Sequence, residues 1–328
     1  NKRHRIRFRA RAPHHIWQLD AKGPFPVRLT SGEEIRVVVL TVIDDVSSAV
    51  LAVTIAVSES IAAAVCLVRD AVARWGPPHK VYCDRHSVYD SSAFRTGVAE
   101  IGIHRIWTTG GNPPPRGKIE AYHRILTMWF VDELPHQQVM DRDHLLELLL
   151  AVIDVLYMSH RHRGLKMSPA QALDNRVSDR RPPSLDELRR AFWVEKTLKA
   201  HPVTGEVDLP GGLFLVPAPY AGKHVRLRYD PAESHRVVLV TANGIEMPVK
   251  SVNHVHTKPD PPRGSKRAPG QLQRLLDVYR GRELPIADPG FGFVEFFDAL
   301  GQALGRPVPQ TEEEAEAIQT FYRDKGPF

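Results

Sequence analysis

Two β-rich runs, Ile35–Ile43 and Ser48–Val57, stand almost back to back, joined through Asp44-Asp45. Branched and apolar side chains broken by two carboxylates read as an antiparallel hairpin. Past the hairpin the period changes. Glu59–Trp75 carries helical spacing and stops at Gly76-Pro77-Pro78, and Lys80–Cys83 is a short strand ending at Asp84. Residues 91–101 look helical, Ile103–Trp107 extended, a helix opens near Lys118 and runs to about Leu134, and Asp141–Met158 is a strongly apolar helix. Upstream of the hairpin, Trp17–Asp20 is a further short strand ending in a carboxylate. A hairpin and then strands alternating with helices demand a mixed sheet with helices on its faces, an α/β class.

The 328 residues are too many for one ordinary domain, and punctuation divides them. Asn112-Pro-Pro-Pro115 marks a rigid loop, Asp179-Arg-Arg-Pro-Pro183 a boundary, and residues 257–270 an exposed basic linker. The expected units are a basic arm (1–15), a core (16–178), a connector (179–202), a small β-barrel (203–257), the linker (258–270) and a helical tail (271–328). The barrel rests on short β runs at Leu213–Val216, His224–Tyr229, Arg236–Val240 and Ile245–Val249, separated by Gly, Pro, Asp and Asn. The tail has two amphipathic segments, Gln271–Arg280 and Val294–Leu304, too small for their own core and so expected to dock on a partner.

Charge is unevenly placed. Six of the 44 Lys and Arg, and no acid, fall in residues 1–15, so the remainder matches its 38 acidic groups one for one. An arm of this kind suits phosphate binding. Its Arg3, Arg5, Arg7, Arg9 and Arg11 are expected DNA contacts, as are Arg161 and Arg163 in a second basic segment and Lys223, Arg226 and Arg228 in the barrel. No apolar stretch approaches the ~20 residues of a membrane span, and two cysteines cannot build a disulfide scaffold or a cysteine-rich zinc site. A reducing interior, without membrane association, is the expected setting. The chain opens on Asn1, not Met, and is expected to continue a longer protein.

Three acids stand at element ends: Asp20 (HHIWQLD), Asp84 (KVYCD) and Glu120 (RGKIEAYHR), with 63 residues between the first two and 35 between the last two. The pattern resembles the DDE transposases and retroviral integrases. Trp17-Gln-Leu-Asp20 is similar to that family's first strand, the segment 42–47 to its second-strand hairpin, and Gly110–Glu120 to its approach to the glutamate helix. Ser168-Pro169-Ala170, after the His/Arg segment 160–163, is similar to the motif that closes the core. One departure is Arg85-His86, where the family often has Asn-Gly. Leu209–Val240, with Tyr220, Gly222 and VRLRYD, resembles the C-terminal β-barrel of phage Mu-type transposases.

The resemblance implies a ribonuclease-H-like core and a DNA transposase. Its activity would be metal-dependent cleavage of element 3′ ends and their joining to target DNA. Asp20, Asp84 and Glu120 would be catalytic and would hold two Mg²⁺ ions, or Mn²⁺ in substitution, with Asp20 bridging. Carboxylate oxygens suit a hard ion that keeps most of its waters. The implied partners are DNA (element ends and target), further copies of the chain on DNA, and an AAA+ ATPase that selects the target. The implied setting is the prokaryotic cytoplasm. Around Glu120, Lys118 and Arg124 are expected DNA contacts, Arg124 alternatively pairing with Glu120 one turn away. Asp44 and Asp45 are assigned to the hairpin turn, and His104 and His123 to surface or core. Two other readings stay open: a catalytically silent DNA-binding regulator or assembly protein, and a ribonuclease-H-type nuclease.

Overall fold

A computed structural model describes residues 10–84, 88–107 and 117–252, with the side chain of residue 107 excepted. Arg3, Arg5, Arg7, Arg9, the Asn112-Pro-Pro-Pro115 loop, Arg85-His86, the linker and the tail lie outside the described residues.

Five strands form the main sheet: β1 (Ile16–Arg28), β2 (Glu34–Asp44), β3 (Val50–Ala56), β4 (Lys80–Cys83) and β5 (His104–Trp107). Their order is β3-β2-β1-β4-β5. The hairpin forms as expected, β2 and β3 pairing antiparallel, while β1 meets β2 antiparallel and β4 parallel. The run Val37–Ile43 is apolar at nearly every position because β2 is covered on both faces. Val38, Leu40 and Val42 face α1 (Ile61–Trp75) and α2 (Ser92–Glu100); Val37, Val39 and Ile43 face α3 (Gly117–Trp129) and α4 (Arg142–Ala151). Polar side chains set the helix starts: Ser60 caps α1, Ser91 caps α2 and Asp141 caps α4.

Three boundaries differ from the sequence reading. β1 does not end at Asp20 but continues to Arg28, with an irregularity between Lys22 and Phe25. There Gly23 takes a φ of 134°, and a Cβ would lie 2.8 Å from the Val37 carbonyl oxygen. Pro26 is tolerated because β4 pairs with β1 only as far as Gln18, leaving the rest of that edge open. The helix near Lys118 stops at Trp129 and gives way to a 3₁₀ turn, Val131–His136, with Pro135 inside it. The last apolar helix is regular only to Ala151 and widens to a π-turn over Val152–Tyr157.

The arm boundary also moves. Ala10 and His14 are buried, and their backbone N–H groups donate to the Asp45 and Asp44 carboxylates at 3.1 and 2.7 Å. His14 accepts from Trp17 Nε1 at its Nδ1 (3.1 Å), lies 2.6 Å from the Arg176 carbonyl through Nε2, and stacks on Trp75. Burial lowers its pKa, against the opposing pull of the Arg176 carbonyl and the Asp44 and Asp179 charges.

Beyond the short helices α5 (Pro169–Leu173) and α6 (Leu185–Arg190) lie two small sheets sharing one core of Val207, Phe214, Leu227 and Leu239. One is ordered β11 (Glu246–Pro248), β10 (Val237–Val240), β9 (His224–Tyr229), β6 (Val194–Lys199). The other is ordered β12 (Lys250–Ser251), β8 (Gly212–Leu215), β7 (Glu206–Leu209). Residues 246–251 pass from one sheet to the other, turning a barrel-like corner. The expected connector therefore belongs partly to this unit. β6 is hard to read in the sequence because Glu195 and Lys199 line its outer face and Lys196 interrupts the apolar face of Val194 and Leu198, diluting the strand pattern.

This unit is joined to the core by a buried ion pair. Arg69 of α1 and Asp230, just past β9, are both fully buried and 2.9 Å apart. Arg69 also donates to the Arg189 carbonyl and lies over the Phe192 ring, 5.4 Å from its centroid. Phe192 in turn presses so closely on α2 that only glycine fits at position 97, where a Cβ would fall 2.2 Å from the ring.

Burial of these charged and titratable groups has measurable consequences. Arg69→Met strands the Asp230 carboxylate and should lower unfolding stability by roughly 3–5 kcal/mol, whereas adding Asp230→Leu should restore most of it. Chemical denaturation of both variants checks this, and an additive double loss would contradict it. For His14, the unfolded chain takes up a proton below about pH 6.5 that the folded chain refuses. Stability should therefore be present above that pH and fall as pH drops toward the lowered folded pKa. Denaturation between about pH 7 and pH 5 should show a shallower slope in His14→Gln than in the parent; equal slopes would contradict the assignment.

Candidate active site

The strand register positions the first two acids. Ile16, Trp17 and Gln18 of β1 pair in parallel with Lys80, Val81 and Tyr82 of β4. Asp20 and Asp84 each lie two residues past the last paired positions, Gln18 and Tyr82, at the ends of these neighbouring strand segments. Alternation gives both the side that α3 covers, since Trp17 and Leu19 pack against α1 and α2 on the other face. Asp20 is largely covered, with 21% of its side chain exposed, and Asp84 is half-buried. Asp20 Oδ1 accepts from the Ala21 N–H at 3.0 Å.

Helix α3 brings the third acid. Ile119, Tyr122 and Leu126 bury its inner face, and Tyr122 meets the Thr41 hydroxyl, opposite Asp20 on β2, at 3.4 Å. That leaves Glu120 exposed in the first helical turn, where the helix dipole favours an anion. One turn on, buried His123 reaches Asp20: its Nδ1 is 3.7 Å from Oδ2. The sequence reading assigns His123 to surface or core; its spacing of three from Glu120 is the signal that points to the site.

A second feature has no counterpart in the sequence reading. Tyr89, after β4, is buried, and its hydroxyl has no hydrogen-bond partner among the described residues. Burial raises its pKa well above the usual phenol value, and the charges of Glu59, Asp20, Cys83 and Asp84 raise it further. Asp20, Asp84 and Glu59 therefore lie within electrostatic reach of one hydroxyl. The sequence shows Tyr89 only as one more aromatic residue near a turn.

Asp44 and Asp45 do build the hairpin turn, but as fully buried groups. Asp44 accepts from the Ser47 N–H (2.7 Å) and hydroxyl (2.8 Å). Asp45 accepts from Gln18 Nε2 at 2.6 Å and pairs with Lys118 Nζ at 3.0 Å. Lys118 is thus held from within the protein. His162 lies near it, its pKa lowered by burial first and then by His160 and Lys118.

Of the other expected DNA contacts, Arg11, Arg124, Arg161, Arg163 and Lys223 are exposed. Arg124 makes no ion pair with Glu120 among the described residues. Arg226 approaches Glu195 at 3.9 Å, and Arg228 pairs with Glu246 at 2.8 Å.

An oxygen-only set of Asp20, Asp84 and Glu120 fits a hard divalent cation in its chemistry. Two of the three, Asp20 and Asp84, stand just past the paired ends of neighbouring strand segments. Among the described residues, however, no three His, Cys, Asp or Glu side chains converge closely enough to hold an ion. The described residues also include no helix long and apolar enough to cross a membrane.

Known proteins share parts of this chain. Residues 10–113 match the integrase core domain. The matched span includes Asp20 and Asp84 and stops short of Glu120. A curated relative, the transposase for transposon Tn552 of Staphylococcus aureus, is 24% identical over 168 residues; the alignment covers 48% of this chain and 35% of that protein. The chain thus spans about a third of the length of the relative it matches. Among solved structures, the simian T-cell lymphotropic virus intasome in complex with PP2A regulatory subunit B56 gamma is similar at a TM-score of 0.43 and 16% identity, over 75% of this chain and 81% of that one. The HTLV-2 integrase catalytic core domain in complex with magnesium gives 0.39 and 17%, over 50% of this chain and 99% of that one. The domain match and the transposase relative support the transposase and integrase superfamily, and neither singles out the Mu-type branch.

Proposed function

We propose that the chain is the catalytic part of a DNA transposase that cleaves element 3′ ends and joins them to target DNA. The observation that supports this reading is the parallel pairing of β1 with β4, which ends two residues before Asp20 and Asp84 within the segment matching the integrase core domain. Glu120 completes the set from the first turn of α3.

Asp20, Asp84 and Glu120 would hold two Mg²⁺ ions, with Mn²⁺ able to substitute. When bound, the ions activate a hydroxyl nucleophile and stabilise the leaving oxygen of an in-line displacement. The protein's own part is to place oxygens and charges. Asp20 and Asp84 are carried just past the paired ends of β1 and β4, and His123 Nδ1 lies 3.7 Å from Asp20 Oδ2. Exposed Arg124, Arg161, Arg163 and Lys223 supply phosphate contacts that set the DNA backbone against the carboxylates. Arg3, Arg5, Arg7, Arg9 and Arg11 of the basic arm would add further phosphate contacts. In this reading the small two-sheet unit is a Mu-type C-terminal domain. The chain then works as an oligomer on DNA in a prokaryotic cytoplasm, with residues 271–328 docking on a neighbouring subunit or an AAA+ target-selection ATPase.

The test is direct. Asp20→Asn, Asp84→Asn and Glu120→Gln should each lower strand joining on a pre-nicked DNA end by at least about a hundredfold while leaving DNA affinity and thermal stability unchanged. Retained joining in all three would remove the site. Efficient cleavage of RNA–DNA hybrids by the parent, with no DNA joining, would favour a nuclease.

A further inference from the structure

Lys118 stands two residues before Glu120 on the same helical turn, and its ammonium reaches across to the β2–β3 turn. Its partner there is Asp45, whose side chain is fully buried and whose carboxylate is fixed from two further directions. Gln18 Nε2 donates at 2.6 Å and the Ala10 N–H at 3.1 Å, and Lys118 also donates to the Asp45 backbone carbonyl. A buried carboxylate of this kind is a rigid anchor, because moving its cation away would leave the charge without compensation. Gln18 belongs to the strand that carries Asp20, two residues before it on the same face. The anchor and the first acid therefore share one strand, and the cation and the third acid share one helical turn.

We propose that the Asp45–Lys118 pair is a strap that sets the distance of Glu120 from Asp20 and Asp84, so that both are positioning residues for the metal-binding acids. This rests on the assignment of Glu120 given above. It also gives Lys118 a task other than the DNA contact expected from its sequence position. The pair adds a polar anchor at the start of the helix, on whose exposed side Glu120 lies, to the apolar contacts of Ile119, Tyr122 and Leu126. Residues that orient metal ligands from behind typically change metal affinity or activity about 10–100-fold when removed.

The experiment compares Lys118→Met and Asp45→Asn with the parent in three measurements: Mg²⁺ affinity of the free protein by calorimetry, DNA affinity with its salt dependence, and joining at saturating DNA. The strap predicts that each variant weakens Mg²⁺ binding at least about tenfold and lowers the joining rate, with the DNA dissociation constant and salt slope unchanged. The double variant should lose no more than the worse single one, as expected for two halves of one contact. Weaker DNA binding and a salt slope reduced by about one, with Mg²⁺ affinity intact, would make Lys118 a phosphate contact and overturn the strap. Unchanged Mg²⁺ affinity in Asp45→Asn would overturn it equally, and that variant decides the matter if Lys118→Met does not fold. Glu120→Gln is measured alongside. If it retains full joining, the assignment of Glu120 fails, whatever the two strap variants show.

Discussion

β1 is paired on both edges in opposite senses, and the remaining architecture depends on that. Its antiparallel partner β2 extends the sheet into a hairpin, while its parallel partner β4 requires the chain to cross over through α1. The crossover covers one face of the sheet, and α3 and α4 must then cover the other. Because parallel pairing with β4 stops at Gln18, the strand continues beyond it with one edge open. Asp20 sits there, neither locked in the interior of the sheet nor free in a loop.

Buried charge plays a second organising role. Arg69–Asp230 joins the core to the two-sheet unit, and Asp45–Lys118 joins the hairpin to the helix of Glu120. Hydrophobic burial supplies most of the stability of such interfaces but is tolerant of sliding. A desolvated ion pair is not, because displacement by an ångström or two leaves a carboxylate uncompensated. Each of these pairs therefore specifies a position where apolar contact alone would specify only a neighbourhood.

The strands and helices of the core are legible in the sequence because their periodicities are strong. Lys80–Cys83 and the hairpin can be read to the residue or nearly so, and Ser60, Ser91 and Asp141 are ordinary capping residues. What stays hidden has physical reasons. The extension of β1 is masked by Gly23, Pro24 and Pro26, which are loop signals unless one edge of the strand is open. β6 is masked by Glu195, Lys196 and Lys199. At the site, the order of the acids along the chain is readable. That His123 contacts Asp20 and that Lys118 turns inward to Asp45 depend on how α3 packs, and no local pattern encodes a packing angle; Tyr89 comes to its buried place from the other face, beside Phe94 of α2.

Under the proposed function, Asp20 and Asp84, just past the paired ends of β1 and β4, form one side of a two-ion site that Glu120 completes. Anomalous scattering from crystals soaked in Mn²⁺ tests it most directly. The account predicts Mn²⁺ peaks between the Asp20 and Asp84 carboxylates and beside Glu120, with the Asp20 site emptied in crystals of Asp20→Asn. Mn²⁺ bound elsewhere on the chain, or none at these acids at concentrations that support joining, would contradict it.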